Sequence, residues 1–317
     1  MTTFRIRSSR GIMVDQIIFG KPVSIALDPR KILPGRISVT SHGHTDHTPS
    51  SIRHPTIIAS DTTRKMISFY KPKTKIENTT SYKADHVTIT LHDAGHCLGS
   101  RMTMITNNEI GEKTLYTGDY NTVKKYCGQG KAKRADKLII DSTYGKEKYA
   151  FPEYTKTVEE LRAHLESQKT KVAIRTYSFG KPQEICHLLN TFRMPFSVDD
   201  RIASINKAIG AAYKHEQEDA DIMVTRKHIP THHNIGLSGW ASQSSYRYMA
   251  KVDEAFVMSD HADYPSGMKF ISKADPETVY PVFGYAKEFA EKIQKETGVK
   301  ALPLITGQHS LQSFIEP

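Results

Sequence analysis

His42-Gly43-His44-Thr45-Asp46-His47 packs four candidate metal ligands into six positions, just after the strand-like run Arg36-Ile37-Ser38-Val39-Thr40. Imidazole nitrogen and carboxylate oxygen suit Zn²⁺, Mn²⁺ or iron, and the cluster holds no thiolate, which argues against a closed structural zinc site. The pattern reads as an open catalytic centre. In an extended segment His-x-His puts His42 and His44 on one side, whereas Asp46 and His47 turn toward another point, so one loop can serve two neighbouring cations.

Further ligands stand downstream in similar settings. His96, in Asp93-Ala94-Gly95-His96-Cys97-Leu98-Gly99-Ser100, follows an alternating strand and sits between glycines that let the backbone carry the imidazole inward. It reads as the third histidine of the first metal. Asp119, in Leu115-Tyr116-Thr117-Gly118-Asp119-Tyr120, is placed to bridge two cations. Asp28, after Ile25-Ala26-Leu27, is better suited to accept a hydrogen bond from a ligand imidazole and fix its orientation.

These residues lie at the ends of short apolar runs. Val23 to Leu27, Arg36 to Thr40, Thr56 to Ala59, Val87 to Leu91, Met102 to Thr106, Thr114 to Tyr116 and Leu138 to Ile140 read as strands. A helix from the N-cap candidate Asp61 to about Tyr70 interrupts them, and the mixture predicts a layered α/β sandwich. From Lys146 to Met258 the texture changes. Val158, Leu161 and Leu165 mark one amphipathic helix and Ile202, Ile205, Ile209 and Ala212 another, with Val172-Ala173-Ile174 as a buried strand between them. After Ser259 the ligand-like pattern returns, and a helix carrying Ala286, Phe289, Ala290 and Ile293 ends at Gly298. That order implies an insertion, giving units at residues 1–145, 146–258 and 259–317.

Composition narrows the class. The 317 residues are 38% hydrophobic, enough for a buried core, and carry a net charge of +10, which suits a polyanionic partner that composition alone does not name. Basic residues gather in Lys71-Pro72-Lys73-Thr74-Lys75 and in Lys124, Lys125, Lys131, Lys133, Arg134 and Lys137, the second run countered only by Asp136. No apolar stretch approaches a membrane span, and Met1-Thr2-Thr3-Phe4-Arg5-Ile6-Arg7 lacks a signal-peptide core, so the expectation is a cytoplasmic protein. Cys97, Cys127 and Cys186 are widely spaced and odd in number, which argues against a disulfide framework. His228, His232 and His233 read as a solvated loop rather than a third metal site.

The ordered set of Asp28, the His42–His47 cluster, His96 and Asp119 resembles the metallo-β-lactamase superfamily. The finer resemblance is to its β-CASP nucleases, in which a cassette is inserted into the hydrolase domain. Asp141-Ser142-Thr143-Tyr144-Gly145 and Ser259-Asp260-His261-Ala262-Asp263 resemble the flanking motifs of that branch. Gly239-Trp240 followed by Ser-Asp-His-Ala-Asp-Tyr-Pro is similar to ligase-associated DNA exonucleases. Gly-His-Cys-Leu-Gly-Ser and Ser-Thr-Tyr-Gly are shared with cleavage and polyadenylation endonucleases. The resemblance implies a metallo-β-lactamase αββα sandwich with an inserted α/β β-CASP domain.

It also implies a reaction. His42, His44, Asp46, His47, His96 and Asp119 would hold two divalent metal ions, zinc first and manganese second. Ions about 3.5 to 4 Å apart would generate hydroxide and clamp a scissile phosphate. His261 would be the general acid, its other ring nitrogen held by Asp141, with Asp46, His261 and Asp141 as the catalytic set. Ser178, Lys181 and Gly239, with Lys124 and Lys125, would bind flanking phosphates. One position departs from the branch: RNA-processing members carry a metal-binding histidine where Tyr280-Pro281-Val282-Phe283-Gly284 has Phe283. Either three ligands hold the second ion or another side chain, such as His309, substitutes. Phe283 tilts the reading to DNA.

The expected protein is a metal-dependent nuclease acting on single-stranded DNA or RNA, with DNA exonuclease favoured and DNA-repair or RNA-processing proteins as partners. Three alternatives stand beside it. They are an RNA-processing endo- or exonuclease of the same branch, a glyoxalase- or lactonase-type hydrolase of small molecules, and a catalytically weak nucleic-acid-binding subunit.

Overall fold

A computed structural model of the chain describes residues 4–8 and 11–305. Two mixed sheets stack face to face. The first orders its strands Phe4–Ser8, Ile12–Ile18, Lys21–Leu27, Ile37–Val39, Thr56–Ile58 and Glu77–Thr79. The second orders Lys300–Ala301, Thr278–Val282, Lys137–Asp141, Lys113–Tyr116, Arg101–Asn107, Val87–Asp93 and Ser81–Lys83.

Side-chain alternation explains the layering. Along Lys137–Asp141, Ile139 points to the sheet–sheet core with Val14, Ile25, Leu27 and Val39, while Leu138 and Ile140 point away. The outward pair packs against two helices from the last part of the chain. They contribute Phe270, Ile271 and Ala274 of helix Tyr264–Ala274, and Phe289, Ala290 and Ile293 of helix Ala286–Thr297. Both faces of this sheet are therefore buried, as its near-continuous apolar strands require. The first sheet is covered by helix Asp61–Tyr70, whose Ile67 meets Ile32, Ile57 and Ala59. The succession is helix, sheet, sheet, helix.

A third sheet of five parallel strands is built from residues between 172 and 257, ordered Phe196–Val198, Ile222–Thr225, Val172–Arg175, His233–Ser238 and Glu254–Val257. Leu161, Leu165, Ile185, Leu189 and Ile202 from three helices close over its Val172, Ile174, Val224 and Ile235. Among the described residues no helix is long and apolar enough to cross a membrane.

Several local expectations change. Ser60, not Asp61, caps the first helix, because its hydroxyl accepts from Thr63 N–H and leaves Asp61 in the first turn. The helix of Ile202 ends at Ile209, where Gly210 adopts φ +79°, so Ala212 lies beyond it. His233 opens a strand instead of lying in a loop.

Candidate metal centre

Strand polarity creates the site. Lys21–Leu27, Ile37–Val39 and Thr56–Ile58 run parallel in one sheet, and Lys113–Tyr116, Lys137–Asp141 and Thr278–Val282 run parallel in the other. Their carboxyl ends deliver Asp28, the loop from Ser41 to Thr48, Asp119, Asp141 and Phe283 to one edge of the sandwich. Arg101 N–H donates to Ser41 O at 2.8 Å and ties the two sheets together there. Gly95 makes the approach of His96 feasible: at φ +73°, a Cβ on it would lie 2.5 Å from Asn121 O.

Four donors converge. His42 Nε2 lies 3.0 Å from His44 Nδ1, which lies 3.1 Å from His96 Nε2. Asp119 Oδ2 is 3.6 Å from both His42 Nε2 and His96 Nε2. Each ring's outer nitrogen has an acceptor. His42 Nδ1 donates to Ser41 Oγ at 3.0 Å, whose own proton goes to Asp28 Oδ2. His44 Nε2 donates to Phe179 O at 2.9 Å, and His96 Nδ1 donates to Asp260 O at 3.0 Å. With those tautomers set by their acceptors, three lone pairs face one another at hydrogen-bond distance with no proton between them. Ligands about 2.0–2.1 Å from a tetrahedral zinc lie about 3.3 Å apart, so the observed 3.0–3.6 Å edges fit such an ion. Burial, reinforced by neighbouring imidazoles, holds His42 and His96 well below the usual histidine range, and burial lowers His44 too. Neutral rings are the ligating form.

A second focus adjoins the first. His47 Nε2 is 3.4 Å from Asp119 Oδ1 and 3.8 Å from Asp46 Oδ2, while His47 Nδ1 donates to Asp28 Oδ2 at 2.8 Å. Burial disfavours a charged His47, yet Asp119 and Asp28 outweigh it and lift the ring to about 10. Burial raises Asp119 to about 7, against the pull of His47 and His261. The field of Asp28, Asp46 and Asp119 thus favours positive charge here. Asp28 also accepts from Ser41 N–H at 2.6 Å and Tyr116 O–H at 2.7 Å; with Ser41 Oγ and His47 its carboxylate has four donors. Three of the four donors, His47 Nδ1 among them, fall on Oδ2, which suits Asp28 to orienting that ring. Phe283 places its ring edge-on to His47, with centroids 5.3 Å apart. His309 lies outside the described residues.

His261 closes the mouth of the site. Its Nδ1 is 2.8 Å from Asp141 Oδ2, and its Nε2 faces Asp119 Oδ2 at 4.0 Å. Thr143 N–H and O–H both donate to Asp141 Oδ1 and hold that carboxylate in place. Burial opposes charge on His261, but Asp141 and Asp119 raise it to about 9. Among the described residues the sets of three or more ligand-type groups that could hold an ion are His42, His44, His96 and Asp119, and Asp119, Asp141 and His261.

The expected phosphate-binding residues divide. Lys124 is exposed, and Ser178 is half-buried in the turn before helix Lys181–Phe192. Lys125 and Lys181 require correction: their side chains are 1% and 5% exposed and are consumed by Glu184 and Asp260. Gly239 is buried against the rings of Tyr144 and Phe151, where a Cβ would come within 2.5 Å of Tyr144, so its role is to make room for an aromatic cluster. Sequence reasoning missed Tyr116 as a partner of Asp28 and missed the carbonyls of Phe179 and Asp260. Carbonyls carry no residue signature.

No family model matches the chain. It is 27% identical over 296 residues to "Probable DNA ligase" of Opitutus terrae, covering 84% of this chain and 28% of that protein. It is 24% identical over 287 residues to "5' exonuclease Apollo" of Danio rerio, covering 80% of this chain and 49% of that protein. With "Integrator complex subunit 11" of Danio rerio it shares 34% identity over 117 residues, 34% of this chain and 18% of that protein. The chain therefore spans less than half the length of these curated relatives. A crystal structure of a protein of unknown function from Enterococcus faecalis has the same fold, with a TM-score of 0.65, 13% identity, and coverage of 96% of this chain and 98% of that one. The motif order and these relatives make the chain similar to the metallo-β-lactamase superfamily, and within it to the β-CASP nucleases.

Proposed function

We propose that the chain is a metal-dependent nuclease that hydrolyses phosphodiester bonds of single-stranded nucleic acid, with DNA cleaved from an end. The carrying observation is the convergence of His42 Nε2, His44 Nδ1 and His96 Nε2 on Asp119 with every tautomer fixed from outside. Zinc would be held by these four, and a second ion by Asp46, His47 and the shared Asp119. When bound, the pair supplies charge that activates a water and neutralises a phosphate. His261 Nε2–H donates the proton to the leaving oxygen, and Asp141 fixes its ring. The helix–sheet–sheet–helix layers are read as the metallo-β-lactamase sandwich of residues 1–145 and 259–317, with residues 146–258 as the β-CASP insertion.

Preference for DNA rests on Phe283 and on the names of the relatives. Those named for DNA ligase and 5' exonuclease align over 84% and 80% of the chain, against 34% for the Integrator subunit. Single-stranded DNA and RNA labelled at either end, incubated with Zn²⁺ or Mn²⁺, test the reading. DNA should shorten progressively from one end and survive intact after chelation. Turnover of a thioester with both nucleic acids untouched would replace it with the small-molecule alternative.

Asp28→Asn gives an independent check, because an amide cannot serve four donors as the carboxylate does. Zinc affinity should fall about 10- to 100-fold in competition with a chromophoric chelator. Unchanged affinity would remove Asp28 from the centre.

A further inference from the structure

We infer that Lys181 and Asp260 are positioning residues of the metal centre, through which the segment carrying the third sheet aims two of the three converging imidazoles. The inference rests on the metal reading above. Two carbonyls do the aiming: Phe179 O receives His44 Nε2–H and Asp260 O receives His96 Nδ1–H. Phe179 lies in the turn before helix Lys181–Phe192, so the start of that helix sets the first carbonyl. Gly180 leaves the space this needs, since a Cβ on it would lie 3.0 Å from His44 Nε2.

The second carbonyl belongs to a loop from a distant part of the chain. Lys181 Nζ binds Asp260 Oδ1 at 2.6 Å across 79 positions of sequence. Lys125 Nζ donates to Ser259 O at 2.5 Å and lies 3.4 Å from Glu184 Oε1 and 3.7 Å from Asp260 Oδ1. Glu184 accepts from Tyr154 O–H at 2.7 Å and lies 3.4 Å from Lys181 Nζ. Two lysines and two carboxylates thus form a neutral, closed cluster. A buried ion network adds little stability over well-packed apolar side chains, but its directional bonds fix geometry. Here the geometry fixed is that of one helix start and of residues 259–261, and each presents a carbonyl to a candidate ligand. Docking of the third-sheet segment and the orientation of His44 and His96 are one event.

Zn²⁺ affinity by chelator competition and the visible spectrum of the Co²⁺-loaded protein test this. Lys181→Met should lower Zn²⁺ affinity about 10- to 100-fold and alter the Co²⁺ bands, and Lys181→Arg should restore both in part. If Lys181→Met does not fold, the charge-balanced pair Lys181→Met with Asp260→Asn decides, since it leaves Lys125 and Glu184 to each other. Lys292→Met, which breaks the remote surface ion pair with Glu147, is the control and should leave both the Zn²⁺ affinity and the Co²⁺ spectrum unchanged. Folded Lys181 variants with wild-type affinity and spectrum would overturn the inference. Failure of the wild-type protein to bind Zn²⁺ would instead remove the metal reading beneath it.

Discussion

Asp119→Ala should strip the protein of tightly bound metal and slow oligonucleotide cleavage by about 10³-fold or more, the equivalent of about 4 kcal/mol of lost charge stabilisation. Asp119 is the side chain toward which His42, His47, His96 and His261 all face, at 3.6, 3.4, 3.6 and 4.0 Å. Its two oxygens are divided between the foci, Oδ2 to His42 and His96 and Oδ1 to His47. In the proposed two-ion site, loss of this carboxylate would take one ligand from each ion at once. Metal content after dialysis, measured by atomic emission, should fall in parallel with the rate, and circular dichroism should report an intact fold. A variant that keeps both metal and rate would eliminate Asp119 as the shared ligand.

His261→Ala should separate chemistry from metal binding. Loss of a general acid costs about 10²- to 10⁴-fold in rate. The ring is partly exposed at the mouth and held by Asp141, so its removal leaves His42, His44 and His96 with their outer acceptors. Metal content should therefore match wild type while single-turnover cleavage collapses. Asp141→Asn should fall between the two, because the ring remains but its Nδ1 loses a carboxylate partner. A wild-type rate in His261→Ala would assign proton delivery elsewhere.

Much of the centre is legible before folding because its parts are local. His42 and His44 belong to one extended segment, and their proximity follows from a spacing of two along it. Asp28, Asp119 and Asp141 are legible for a related reason: each ends an apolar strand, and parallel strands in a layered α/β fold bring their carboxyl ends together. The helix of Ala286, Phe289, Ala290 and Ile293 ends at Gly298 as its spacing and glycine stop require. Where the reading stops short, long-range contact is the cause. Lys125 and Lys181 look like solvated cations from their neighbours alone, and it is the carboxylates of Glu184 and Asp260, brought to them by folding, that make their burial tolerable.

By itself the sequence determined the donor chemistry, the order of the motifs and the strand ends on which they sit, because these depend on residue type and short-range periodicity. Tertiary structure alone decided which ring nitrogen faces inward, which lysines are spent inside and that Phe283 rests on His47. Those outcomes depend on backbone carbonyls and packing partners brought together across as many as 164 positions, as with His96 and Asp260.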